Sequence, residues 1–88
     1  MDDLIKAITQ LKQKMGAHIP VIRRDIDHII TAKMTDELTI ERTLDTLLDY
    51  GQLGLGQEEF RRLNGYYATI RPEYAERYNE FYAEMNTE

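Results

Sequence analysis

Residues 35–56 read TDELTIERTLDTLLDYGQLGLG, and this stretch indicates the fold class of the whole chain. Its apolar side chains recur at helical spacing: Leu38, Ile40, Leu44, Leu47 and Leu48. Side chains at this spacing converge on one face of a helix, and that face must be buried against other elements. The stretch therefore predicts an amphipathic helix over residues 36–50, with Thr35 as its N-cap and Gly51 as its C-cap.

The same periodicity outside this stretch predicts four further helices. They lie at about residues 2–15, 20–34, 57–68 and 72–86. Gly16 fits a C-cap after the first of them, and Pro20 fits the first turn of the second. No Gly or Pro separates the second helix from the helix over 36–50, so a single longer, bent helix is an alternative there. Residues 1–88 are thus expected to form one all-α domain, a small bundle of four to five short, mainly antiparallel helices.

Each of these four helices has its own apolar stripe, and we expect the stripes to meet in a common core. Their members are Leu4, Ile8, Leu11 and Met15; Ile22, Ile26, Ile29 and Ile30; Phe60, Leu63, Tyr67 and Ile70; and Tyr74, Tyr78, Phe81, Tyr82 and Met85. Asn64 and Gly65 interrupt the third of these stripes. Such a pair predicts that the helix ends, kinks or lets a neighbouring backbone come close.

The composition restricts the classes of partner. Sixteen acidic and eleven basic residues give a net charge of −5, which suits a basic protein surface and makes nucleic acid an unlikely ligand. The chain has no cysteine, which excludes a disulfide scaffold and thiolate metal sites. No run of about 18 apolar residues and no signal-like segment occurs. We therefore expect a soluble cytoplasmic protein that makes no membrane contact.

Two sets of carboxylates follow one another at four-residue intervals on predicted helices. The first consists of Glu37, Glu41, Asp45 and Asp49, and the second includes Glu76, Glu80 and Glu84. Like charges at this spacing repel each other weakly, so they are solvated, neutralised by another element, or retained for a partner. Tyr66 and Tyr67 cannot both face the core of one helix, so one of them should be exposed. We predict a partner-binding surface from Tyr66 and the seven carboxylates.

No residue pattern indicates catalysis, a metal or a cofactor. The only histidines, His18 and His28, do not form the Glu-x-x-His pairs of di-iron bundles. The three glycines at 51, 54 and 56 follow a predicted helix, whereas the dinucleotide-binding glycine pattern follows a strand. A small helical domain also leaves little room for a deep cleft. We therefore expect no catalytic residues, no metal site and no cofactor, and a protein that is not an enzyme.

These observations favour a small acidic module that binds, and thereby inhibits or regulates, a more basic protein. Its size and acidity are similar to those of small helical immunity, antitoxin and phage-inhibitor proteins, although no motif carries the analogy. One alternative is a structural subunit that forms a homodimer through the aromatic face of the last helix. Another is a helix-turn-helix regulator that binds DNA through Arg23, Arg24 and Lys33, or through Arg61 and Arg62.

Overall fold

The structure is a computed structural model that describes residues 2–85. Within that range the chain forms four α-helices and no strand. They are α1 (Asp2–Thr31), α2 (Glu37–Gly51), α3 (Gln57–Ala68) and α4 (Pro72–Met85). The all-α class is therefore confirmed. The last helix ends at Met85, and the predicted extension to residue 86 lies outside the described residues.

The predicted helices over 2–15 and 20–34 are a single helix of 30 residues, so the predicted break between them is wrong. Gly16 and Pro20 both lie inside α1. The apolar positions explain the continuity, because they keep one alternating four-three spacing across the expected break: Met15, Ile19, Ile22, Ile26 and Ile29. All five contribute to the core or pack against it. Packing of this face outweighs the cost of about 3 kcal/mol that a proline adds inside a helix.

α1 ends at Thr31, and a left-handed residue then separates it from α2. Lys33 has a φ of 53°. The amide of Met34 donates to the Ile29 carbonyl, and that of Lys33 donates to the Ile30 carbonyl. These two hydrogen bonds form a Schellman motif, in which glycine usually occupies the left-handed position. The alternative of one bent helix through this region is therefore wrong.

α2 begins one residue later than predicted, and Asp36 replaces Thr35 as its N-cap. The Asp36 side chain accepts from the Thr39 amide. A second hydrogen bond, from the Thr39 hydroxyl, holds the pKa of Asp36 below its usual value. Leu38, expected in the buried stripe, is 60% exposed. It lies about 200° around the helix from Ile40, so it points away from the core that Ile40 enters.

The core lies where the second half of α1 meets the other three helices. Its members are Ile22, Ile26, Ile29, Ile40, Leu44, Leu47, Tyr50, Phe60, Leu63, Tyr67, Ala75 and Tyr78. The first half of α1 takes no comparable part. Leu4 and Leu11, which were predicted to be in the core, are 66% and 51% exposed, and Ile8 is also exposed. The prediction was wrong there because none of the other three described helices covers that part of α1.

α4 approaches α3 at Asn64 and α2 at Gly51. Asn64 is buried, and its side-chain amide donates to the Ala75 carbonyl at 2.9 Å and to Asn79. α3 is continuous through the Asn-Gly pair, so the helix does not end there. A Cβ at Gly65 would meet no atom within 4 Å, so the expected close approach of a neighbouring backbone at this glycine is wrong, and the Asn64 side chain makes the contact with α4 instead. Gly51 lies within α2, not at its C-cap, and a Cβ there would be only 3.0 Å from the Tyr82 ring. The absent side chain lets α4 pack close to α2.

Candidate functional site

The carboxylates of α2 point toward α3 and α4, where other residues of the chain already contact them. Glu37 forms an ion pair with Arg71, in the turn between α3 and α4. Glu41 accepts a hydrogen bond from the Tyr67 hydroxyl. Asp45 accepts one from the Tyr78 hydroxyl at 2.8 Å. Three members of the first carboxylate set thus support the fold, mainly through tyrosine hydroxyls.

Burial keeps both of these tyrosines in their neutral, donating form. It raises the pKa of Tyr67 well above its ordinary value, and the hydrogen-bonded Glu41 carboxylate raises it further. The pKa of Tyr78 is raised for the same reasons, with Asp45 as the neighbouring carboxylate. Each hydroxyl therefore keeps its proton at neutral pH and donates a hydrogen bond to its carboxylate partner.

A groove of about 440 Å³ lies between α2 and α4. Its walls are formed by Glu37, Glu41, Tyr74, Arg77, Tyr78 and Phe81. The carboxylates come from α2 and the aromatic rings from α4. Phe81 is 52% exposed, and Tyr74 is also exposed. The groove therefore presents negative charge opposite accessible aromatic surface, and this combination can hold an organic cation.

One cation of the chain already uses this aromatic wall. The guanidinium carbon of Arg77 lies 5.8 Å from the centroid of the Tyr74 ring, within the range of a cation–π interaction. Arg77 is exposed and belongs to the same helix as Tyr74, so it can move away without disturbing the core. The groove is thus suited to a guanidinium, whether from Arg77 or from another molecule.

The other predicted site residues divide into two groups. Asp49, Glu76, Glu80 and Glu84 are exposed on α2 and α4. Glu80 and Glu84 each follow a groove residue by three positions, Arg77 and Phe81 respectively, which makes them neighbours of the groove on the helix surface. Tyr66, by contrast, is half-buried, and its hydroxyl donates to the Met34 carbonyl at 2.7 Å. Tyr66 therefore anchors α3 to the segment after α1. The expectation that Tyr66 or Tyr67 is exposed is wrong, because Tyr67 is buried and this hydrogen bond holds Tyr66 against the core.

The negative charge of the chain is concentrated on α2 and α4. Each of these helices carries four carboxylates and one arginine, which gives three net negative charges per helix. Together they carry six, whereas the whole chain carries five, so the remaining residues have one net positive charge. The groove thus lies between the two acidic helices of an otherwise nearly neutral chain.

Sequence reasoning missed four residues of this site. Tyr74 and Phe81 were assigned to the core because they share the periodicity of buried residues, and periodicity does not show how far a helix face is covered. Arg77 lies one helical turn from both Glu73 and Glu80, and this spacing by itself indicates only the neutralisation of these glutamates. Arg71 gave no signal, because its partner Glu37 is 34 residues away in the sequence. Only the packing of α4 beside α2 brings these residues together.

The basic residues considered for DNA contact are partly paired with acidic residues. Arg23 forms an ion pair with Glu59 at 2.7 Å, and Arg62 forms one with Asp27. Both pairs join α1 to α3, the two helices that would have offered the recognition surface. Arg23 and Arg62 therefore hold these helices to each other in the structure, which reduces the positive charge available for phosphates.

Residues 2–85 contain neither a metal-binding cluster nor a membrane-spanning helix. No three His, Asp or Glu side chains in this range are grouped as they would be to hold a metal ion. None of the four described helices is long and apolar enough to span a membrane. In comparisons with known proteins, no family model, no curated protein and no solved structure matches the chain.

Proposed function

We propose that this protein is a binding module for a more basic protein, which it inhibits or regulates by docking through the α2–α4 face. One observation carries the proposal. The groove places the carboxylates of Glu37 and Glu41 opposite the exposed rings of Tyr74 and Phe81. An arginine or lysine side chain of the partner would enter this groove, with its cationic group between the carboxylates of α2 and the rings of α4.

The electrostatics of such a site favour an arginine. A guanidinium is planar, stacks on aromatic rings and hydrogen-bonds to carboxylates through several donors, whereas an ammonium does so less specifically. Glu41 is held in place by Tyr67, and Glu37 is held by Arg71, so the acceptors are already oriented before the partner arrives. Such preorganisation lowers the entropic cost of binding.

The charge outside the groove would act at longer range. The net charge of α2 and α4 attracts a basic partner and orients its approach, which raises the association rate at low ionic strength. The glutamates at 76, 80 and 84 belong to this outer region. We therefore expect them to affect the association rate, and the groove residues to affect mainly the dissociation rate.

The experiment is partner capture from extracts of the native host at low and high salt, with two variants of equal charge change. E76K/E80K reverses two exposed charges of α4. D25K/E58K makes the same change on α1 and α3, also at exposed positions. We expect a basic partner that is lost at high salt and lost with the α4 variant, but retained by the control variant. An acidic partner, or equal retention by both variants, would contradict the proposal.

The groove itself is tested with an oligoarginine peptide and NMR spectroscopy. The peptide should shift the resonances of Glu41, Tyr74 and Phe81, and F81A should weaken its binding several-fold. L38A is the matched control, because Leu38 is an equally exposed apolar residue of α2 outside the groove. Shifts spread evenly over all acidic residues, with no effect of F81A, would show attraction by charge alone and no use of the groove.

The other expectations from the sequence stay predictions. A dimer through the aromatic face of α4 has less surface to use, because Tyr78 is buried and Tyr82 stacks on Phe60 at 4.4 Å. A helix-turn-helix role conflicts with the ion pairs of Arg23 and Arg62. We also propose that the helices pack mainly antiparallel and that the protein is cytoplasmic.

A further inference from the structure

The first half of α1 carries an apolar face that nothing else within residues 2–85 covers. Leu4, Ile5, Ile8 and Leu11 are all about half exposed or more. Their spacing continues the four-three pattern that Met15 and Ile22 follow into the core. The same face of α1 is therefore buried in the second half of the helix and exposed in the first half.

This arrangement indicates that the exposed apolar face of α1 binds another molecule. A helix of 30 residues is about 45 Å long, close to the 46 Å longest dimension of the molecule, so the first half of α1 extends beyond the core. A helical segment of about 14 residues is marginal in water without packing. Exposed large apolar side chains in a continuous stripe are typical of surfaces that bind another protein or a membrane.

Four of the five charged side chains on this half of α1 lie at its two ends. Asp2 and Asp3 lie at its beginning, and Lys12 and Lys14 lie at its far end. The fifth, Lys6, lies about 200° around the helix from Ile8, on the side away from the apolar stripe. The stripe lies between the acidic and the basic end. Two such helices placed side by side in opposite directions would bring each acidic end next to the basic end of the other, and both ends would attract.

We propose that the first half of α1 binds the same segment of a second copy of this chain, antiparallel, about a two-fold axis near Ile8. The interface is isologous, with Leu4, Ile8 and Leu11 of both copies in its centre and two acidic–basic contacts at its ends. This surface differs from the aromatic face of α4, and it leaves the α2–α4 groove open.

The charge pattern decides against two other occupants. A parallel pair would place aspartates beside aspartates and lysines beside lysines, so both ends would repel. An anionic membrane would attract the lysines but repel Asp2 and Asp3, and the exposed stripe has no Trp or Phe, which interfacial helices favour. Only the antiparallel pair brings opposite charges together at both ends of the segment.

The expected dimer is weak. The paired segment is only about 21 Å long, and it buries less than the roughly 800 Å² per partner of a standard stable interface. Sedimentation velocity of the full chain between about 1 μM and about 1 mM should therefore show a monomer–dimer equilibrium. I8E/L11E should be monomeric over the same range. Neither side chain belongs to the core, so circular dichroism should report a folded protein. L38E is the control, and it should dimerise like the wild type.

Charge exchange tests the antiparallel direction. D2K/D3K and K12E/K14E should each weaken the dimer about tenfold or more, since each places like charges together at both ends. The combined D2K/D3K/K12E/K14E chain should dimerise again. K12E/K14E lies in the helix interior, so its effect cannot come from the dipole at the helix N-terminus.

Three results would overturn the proposal. The first is a wild-type monomer at all concentrations, with or without binding to vesicles that contain phosphatidylserine. The second is a dimer that I8E/L11E leaves intact. The third is a dimer that neither D2K/D3K nor K12E/K14E weakens, which would indicate a parallel pair or a dimer interface elsewhere on the protein. Restored dimerisation of the combined variant is the result that supports it.

Discussion

The hydroxyl of Tyr67, a fully buried residue of α3, donates a hydrogen bond to the carboxylate of Glu41 on α2. A second pair, Tyr78 of α4 and Asp45 of α2, repeats this relationship four residues further along α2. The two tyrosines are in edge-to-face contact, with ring centroids 6.4 Å apart. The carboxylates of α2 are thus the acceptors that allow two tyrosine hydroxyls to lie in or beside the core.

Removing the Tyr67 hydroxyl should cost stability. In Y67F the buried ring remains, but the half-buried Glu41 carboxylate loses its donor, so we expect unfolding to become easier by about 1–2 kcal/mol. Chemical denaturation of the wild type and the variant measures this difference. Y78F is the matched comparison. Its acceptor Asp45 is exposed and can turn to water, so Y78F should cost less. An equal or larger loss of stability in Y78F would show that the burial of the carboxylate acceptor does not determine the cost.

The same tyrosines predict a loss of stability in alkali. Burial raises the pKa of both phenols above the value of about 10 that they have in the unfolded chain. Their stabilising contribution is therefore fully present below pH 10, and it falls as the pH rises above that value toward the folded pKa. Thermal unfolding measured across this range should show a falling midpoint. The Y67F/Y78F double variant should lose less stability over the same interval. An equal alkaline decline in both proteins would assign the effect to other groups.

Two glycines within helices should respond in opposite ways to alanine. A Cβ at Gly65 meets no atom within 4 Å, so G65A should stabilise the protein by up to about 1 kcal/mol through helix propensity. A Cβ at Gly51 would lie 3.0 Å from the Tyr82 ring and 3.2 Å from Met85. The Tyr82 ring is stacked on Phe60 and has little freedom to move. G51A should therefore lower the melting temperature, whereas G65A should raise it. A stabilising G51A would show that α4 can shift.

The turn after α1 offers a third test of backbone conformation. Lys33 adopts a left-handed conformation that glycine adopts without steric cost. K33G should therefore raise the free energy of unfolding by about 0.5–1 kcal/mol, as measured by denaturant titration. K33A should bring no such gain, because alanine needs the same unfavourable conformation. A similar gain from both substitutions would point to the lost charge as the cause.

The sequence by itself determined the local structure of most of the chain. Helical spacing predicted α3 closely and placed α2 within one residue at each end, and it identified Ile40, Leu44 and Leu47 as core residues. It failed at Gly16 and Pro20, where local signals for a break compete with an apolar stripe that continues on both sides. Tertiary packing of that stripe stabilises one continuous helix through Gly16 and Pro20.

Only the tertiary structure decided the role of the acidic and aromatic residues. The spacing of Glu37, Glu41 and Asp45 shows that they share a helix face, but not that Arg71, Tyr67 and Tyr78 lie against that face. The same holds for Leu4 and Leu11, whose periodicity is that of core residues although no part of the chain that the structure describes covers them. The physical reason is that periodicity is set by one helix alone, whereas burial and pairing depend on which other helix lies beside it.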